Sequence, residues 1–165
     1  MLSNTSTKTS DLGDLGEKIV FHHLGGKMFS DRWNQTGDGH DANNTLTEVK
    51  TQFPHIRNNC FAIAYKPESN NFQKCMKPGT RLIFLELPLE DEFCIWEVPQ
   101  EHKKNYFKYW NPQEKCQMAG WYIPDLVLLA KYTHPALCEK LRKLSTANID
   151  QIKKLKKVKK SVYIV

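Results

Sequence analysis

The sequence predicts a single α/β domain built on a mixed central β-sheet with helices on its faces. Three observations carry this. A helical segment comes first, a run of short apolar, β-branched and aromatic segments follows, and helical patterning returns near the C-terminus. At 165 residues the chain is long enough for one core that buries roughly two-thirds of its unfolded surface.

The elements follow in order. Residues 1–10 are rich in Ser and Thr with no apolar core, so they read as a flexible tail and not as a secretory leader. Residues 11–165 then form one domain, with the core over 11–100 and basic helices over 136–165. DLGDLGEKIVFHHL (11–24) is the first helix, capped by Ser10 or Asp11 and ended by Gly25-Gly26. KMFSDRW (27–33) is a predicted strand. His40 to Phe53 reads as a hairpin turning at Asn43-Asn44, because Asn tolerates the positive φ of tight turns. CFAIAYK (60–66), TRLIFLEL (80–87) and EFCIWEV (92–98) are strands, and a short helix spans Asn70–Met76. Pro99 suits the first position of a helix running to Pro112, in which Tyr106, Phe107 and Trp110 form the packed face. Trp121, Tyr122 and Ile123 read as core or dimer interface. ALCEKLRKL (136–144) and NIDQIKKLKKVKK (148–160) are helical, and SVYIV is a closing strand.

Composition excludes several classes. No apolar run approaches the ~20 residues of a membrane span. Five cysteines, with no two in a CxxC pair, argue against a disulfide framework and a structural zinc site, so the expectation is a reduced, cytoplasmic protein. The net charge of +6 is unevenly placed: residues 137–165 hold nine Lys/Arg and two Asp/Glu, against 15 and 16 in the rest. Ile149, Ile152 and Leu155 make one apolar stripe there, and Lys153, Lys154, Lys156, Lys157, Lys159 and Lys160 a broad basic face. Such a segment is the footprint of a polyanion, here DNA.

The hairpin GDGHDANNTLTEVKTQ (37–52) carries the chemistry. With the turn at Asn43-Asn44, Asp41 lies opposite Leu46, and Asp41, Glu48, Lys50 and Gln52 project to one side. Two carboxylates beside a lysine suit a hard divalent cation, Mg²⁺ or Mn²⁺, that takes oxygen ligands. Such an ion activates water and offsets charge on a phosphodiester, while Lys50 orients or deprotonates the water. On the first helix Glu17 falls within the apolar stripe of Val20, Phe21 and Leu24, where an unpaired carboxylate is unfavourable.

Glu17 on a first helix, Asp41, then Glu48-Val49-Lys50 with Gln52 two beyond, resembles the PD-(D/E)XK nuclease superfamily. The likeness covers residues 11–66 and is strongest to small single-domain members such as Holliday-junction resolvases and phage endonucleases. It implies a restriction-endonuclease-like core with a four-stranded mixed sheet. It further implies Mg²⁺ or Mn²⁺ held by Asp41, Glu48 and the Val49 carbonyl with help from Glu17, and Lys50 as the catalytic lysine. The chain departs from the family in having His40 where a proline often precedes the aspartate. The expected function is a metal-dependent DNA endonuclease, acting as a homodimer to cut both strands. The alternatives are a non-catalytic DNA-binding module on the same fold, or a ββα-metal (HNH-type) nuclease using His40.

Overall fold

The computed structural model describes residues 4–30 and 36–163, with side chains over 10–30 and 36–157. Two sheets stack on one another. The larger has six strands in the order β1 (Lys27–Met28), β2 (Gly39–His40), β3 (Leu46–Gln52), β5 (Arg81–Glu86), β6 (Glu92–Val98) and β9 (Val127–Thr133). Only β3 and β5 run parallel; every other pair is antiparallel, so the sheet is mixed as predicted. The smaller sheet has the order β4 (Cys60–Ala64), β8 (Cys116–Tyr122) and β7 (Phe107–Asn111). Helices α1 (Asn4–Leu24), α2 (Asn70–Met76), α3 (Pro135–Leu144) and α4 (Ile149–Tyr163) complete the chain.

The central strands are apolar on both faces, as strands covered on two sides must be. Val49, Ile83, Leu85 and Ile95 pack with Val20 and Phe21 of α1 and Cys138 and Leu141 of α3. Leu82, Phe84 and Val98 face the small sheet and α2, meeting Phe61, Ile63, Trp121, Phe72 and Cys75. The Phe61 and Phe84 rings stack with centroids 5.1 Å apart, joining the two sheets. Both sides of β3 are therefore enclosed, and a charged side chain on it is held in a low-dielectric setting.

Helix α1 ends as predicted. Gly25 has φ 65°, its N–H donates to His22 O, and the Gly26 N–H reaches Phe21 O, a pair of bonds that closes the last turn. It starts earlier than expected, at Asn4: residues 4–10 contain neither Pro nor Gly to stop a helix, so the tail predicted over 1–10 is helical from its fourth residue.

Two predictions in the second half fail, and two strands there, β8 and β9, are additional to the reading of the sequence. The stretch after Pro99 is a short 3₁₀ helix over Gln100–Asn105 followed by β7, not one long helix. Aromatics in Tyr-Phe-Lys-Tyr-Trp satisfy a period of two as well as a helical face, and pairing with β8 decides for the strand. β9, the outer strand of the large sheet, was not anticipated. SVYIV continues α4 through Tyr163 where a closing strand was expected; the last two residues lie outside the described ones.

Candidate active site

The hairpin of β2 and β3 sets the site, and its register differs by one residue from the sequence reading. Gly39 pairs with Thr47 and His40 with Leu46. The Asp41 N–H donates to Thr45 O and the Asn44 N–H to Asp41 O, while Asn44 takes φ 64°. The connection is thus a three-residue loop, Ala42-Asn43-Asn44, with the left-handed residue last, and not a two-residue turn. A slip of one residue sends side chains to the opposite face. Asp41 consequently leaves the face that bears Glu48, and Asp38 arrives opposite Glu48 in its place.

The two aspartates have different partners. Asp41, 6% exposed, accepts from the Asn43 and Thr45 N–H groups, each at 2.9 Å, and from Arg81 Nη1 at 3.0 Å. Burial works against its charge, but the Thr45 N–H, Arg81 and the Asn43 N–H outweigh burial and hold its carboxyl below the ordinary range. Arg81 also forks onto Glu97 at 2.8 Å through two nitrogens. Asp41 is thus a turn-closing residue paired with Arg81, and the structure does not bring it beside Glu48 as the sequence reading expected. Asp38 Oδ2 instead accepts from the Val49 N–H at 2.8 Å, which fixes its carboxylate beside Glu48.

Glu17, Asp38 and Glu48 form one electrostatic cluster. Burial pushes the Glu17 carboxyl up to about 8, and the charge of Asp38, a hydrogen bond to it, and the charges of Asp14 and Glu48 add to the shift. Glu17 is therefore protonated at neutral pH and donates to Asp38. Glu48 is 1% exposed, and its carboxyl is also raised, by burial first and then by Asp38. Lys50 Nζ lies 3.2 Å and Lys74 Nζ 3.4 Å from Glu48 Oε1. Both lysines share that one oxygen, and the buried Oε2 has no hydrogen-bond partner among the described residues.

Lys50 also donates to Asn71 Oδ1 at 2.7 Å. Burial disfavours its charge, but Cys75, Glu48 and Asp38 together raise its pKa above the usual lysine value. It is an ammonium at neutral pH, so it offers charge and hydrogen bonds and does not take a proton from water.

The remaining predicted residues fall elsewhere. The Gln52 amide bonds the Ala62 carbonyl and N–H at 2.9 and 3.0 Å, tying the end of β3 to β4 of the small sheet. It is a sheet-docking residue. The Val49 side chain is buried in the core. His40 Nδ1 meets Asp41 O at 3.1 Å and its ring lies against Phe29. On α4, Lys153 pairs with Glu90 at 3.3 Å and Lys156 borders an acidic cleft with Glu86, Asp91 and Glu92. Lys154 and Lys157 are exposed, while the side chains of Lys159 and Lys160 lie outside the described residues.

No protein-family model matches the chain, and no curated protein matches it in sequence. The functional argument therefore rests on the site itself. Sequence reasoning missed Asp38, Lys74 and Asn71. A signal for Asp38 was present: Asp41 followed by Ala-Asn-Asn-Thr suits an aspartate that closes its own loop by accepting backbone N–H bonds. Lys74 and Asn71 come from a helix distant in sequence and left no local signal.

Proposed function

We propose that the chain is a metal-dependent endodeoxyribonuclease of the PD-(D/E)XK kind, with a restriction-endonuclease-like core and Asp38 in the aspartate position. The observation that carries the proposal is the convergence of Glu17, Asp38 and Glu48 next to Lys50, with a buried Glu48 oxygen that no described residue satisfies.

The donor set fits a hard divalent cation. Burial and neighbouring charge raise the proton affinity of Glu17 and Glu48, and a buried polar atom without a partner is unfavourable by about 1–3 kcal/mol. Among the described residues no three His, Cys, Asp or Glu side chains are close enough to hold a metal as they stand. Holding an ion would require Glu17 to lose its proton to solvent and the three carboxylates to draw closer together. Asp38 and Glu48 would hold Mg²⁺ or Mn²⁺, with Glu17 completing the set and the Val49 carbonyl a further oxygen donor. When bound, such an ion supplies an activated water and stabilises charge on phosphoryl oxygens.

The protein's own residues do the rest. Asp38 is oriented by the Val49 N–H, and β3 presents Glu48 and Lys50 from one rigid face. Lys50, kept charged by its neighbours and aimed by Asn71, offsets the negative charge that grows on the phosphate during attack. Exposed lysines of α4 add backbone contacts to DNA. Cutting both strands of a duplex calls for two copies of so small a site. No described helix is long and apolar enough to cross a membrane.

The test is incubation of plasmid, branched and single-stranded DNA, and RNA, with Mg²⁺ or Mn²⁺. The wild-type chain is expected to cut DNA, and Glu48→Ala and Lys50→Ala to lose cutting by at least about 100-fold. Binding without cleavage of any substrate, or full cleavage by Glu48→Ala, overturns the proposal.

A further inference from the structure

A cleft of about 440 Å³ opens beside α2, and its walls include Lys74, Lys77, Asn70, Gln73, Phe72 and Met76. Among the described residues that line it, none is acidic. The second cleft, about 360 Å³, is the opposite case, with Glu86, Glu90, Asp91 and Glu92 around it. A polyanion is repelled from the second and drawn to the first.

Lys74 connects this cleft to the carboxylate cluster. It lines the cleft, yet its ammonium lies 3.4 Å from Glu48 Oε1 with the side chain 17% exposed. Lys50 already serves the same oxygen at 3.2 Å, so Glu48 keeps a partner if Lys74 turns away. Asn71, next to Asn70 of the cleft wall, holds Lys50 at 2.7 Å. A phosphate resting in the cleft therefore sits one side chain from the carboxylates, with ammonium and amide donors on the cleft side.

We propose that this cleft binds the phosphodiester backbone of the DNA strand being cut, with Lys74 exchanging Glu48 for a phosphate oxygen and Lys77 contacting a neighbouring phosphate. Lys74 is a binding residue that also adjusts the charge around Glu48. Phe72 and Met76 give an apolar wall for sugar or base. The inference rests on the nuclease reading, for it names where that site's substrate lies.

Fluorescence anisotropy of a labelled DNA oligonucleotide tests it, in EDTA and again in Ca²⁺, as a function of salt. Lys74→Gln and Lys77→Gln are each expected to weaken binding on the order of fivefold and to lower the salt slope by about 1. Lys131→Gln, on β9 and paired with Glu92, is expected to change neither. Lys77 is exposed, so its variant is expected to report binding without a folding defect. No wild-type binding under either condition, or unchanged affinity and slope in both cleft variants, overturns the proposal. Weakened binding in the variants of a protein that cuts no nucleic acid supports the cleft and removes the nuclease reading. Unchanged binding alongside normal cleavage does the reverse.

Discussion

Glu17 holds a proton that an ordinary glutamate has released. Its folded pKa, about 8, lies above the 4.5 of an unperturbed glutamate. Between those values the folded chain binds a proton that the unfolded chain has lost, so stability falls as pH rises through that window. Urea unfolding in EDTA is expected to show a lower midpoint at pH 8 than at pH 5. Glu17→Gln keeps the hydrogen bond to Asp38 and removes the titration, so its midpoint should exceed the wild type's at pH 8 and flatten with pH. A wild-type midpoint that rises over the window would contradict the buried-proton account. Glu17 was legible from the sequence because an acid in an apolar stripe is a conflict visible on a helical wheel. Which carboxylate it meets was not, because that depends on a turn.

At the scale of elements, α1 delivers Glu17 only because the helix lies close on β3. A Cβ built at Gly16 would fall 1.8 Å from Thr51 Oγ1 and 2.9 Å from Thr51 Cβ, whereas at Gly13 nothing lies within 4 Å. Gly16→Ala is expected to force the helix off the strand and destabilise by roughly 1–3 kcal/mol. Gly13→Ala should stabilise by up to about 1 kcal/mol through helix propensity alone. Thermal unfolding of the two variants separates them, and equal effects would mean that α1 does not rest on Thr51. Local signals served well where one pattern had one solution: α2 and β6 match their predicted spans, and Gly25-Gly26 closes α1 as expected. They failed where the deciding partner is remote. β7 needs β8 to be a strand, and β9 depends on β6. The loop at Asn43-Asn44 shows the same limit in small: Asn44 has the positive φ expected of it, but the loop holds three residues, and that single extra residue puts Asp38, not Asp41, beside Glu48.

For the whole molecule, charge is sorted by surface. Glu17 of α1, Asp38 and Glu48 of β3 form one carboxylate cluster, Lys74 of α2 meets Glu48 and lines the adjoining cleft, and α4 lays part of its basic face over Glu90 and the acidic end of the large sheet. The uneven charge read from the sequence is real in the fold, but Lys153 is partly neutralised, so α4 contributes fewer free cations than its composition promised. What organises these surfaces is β3, which is covered on both faces and carries Glu48 and Lys50 inward. The most direct measurement is calorimetric titration of Mn²⁺ into the wild-type chain, Asp38→Asn and Asp41→Asn, at a temperature where all three are folded. The account predicts binding by the wild type and by Asp41→Asn, and loss of binding in Asp38→Asn. Wild-type affinity in Asp38→Asn, or loss confined to a folded Asp41→Asn, would contradict it.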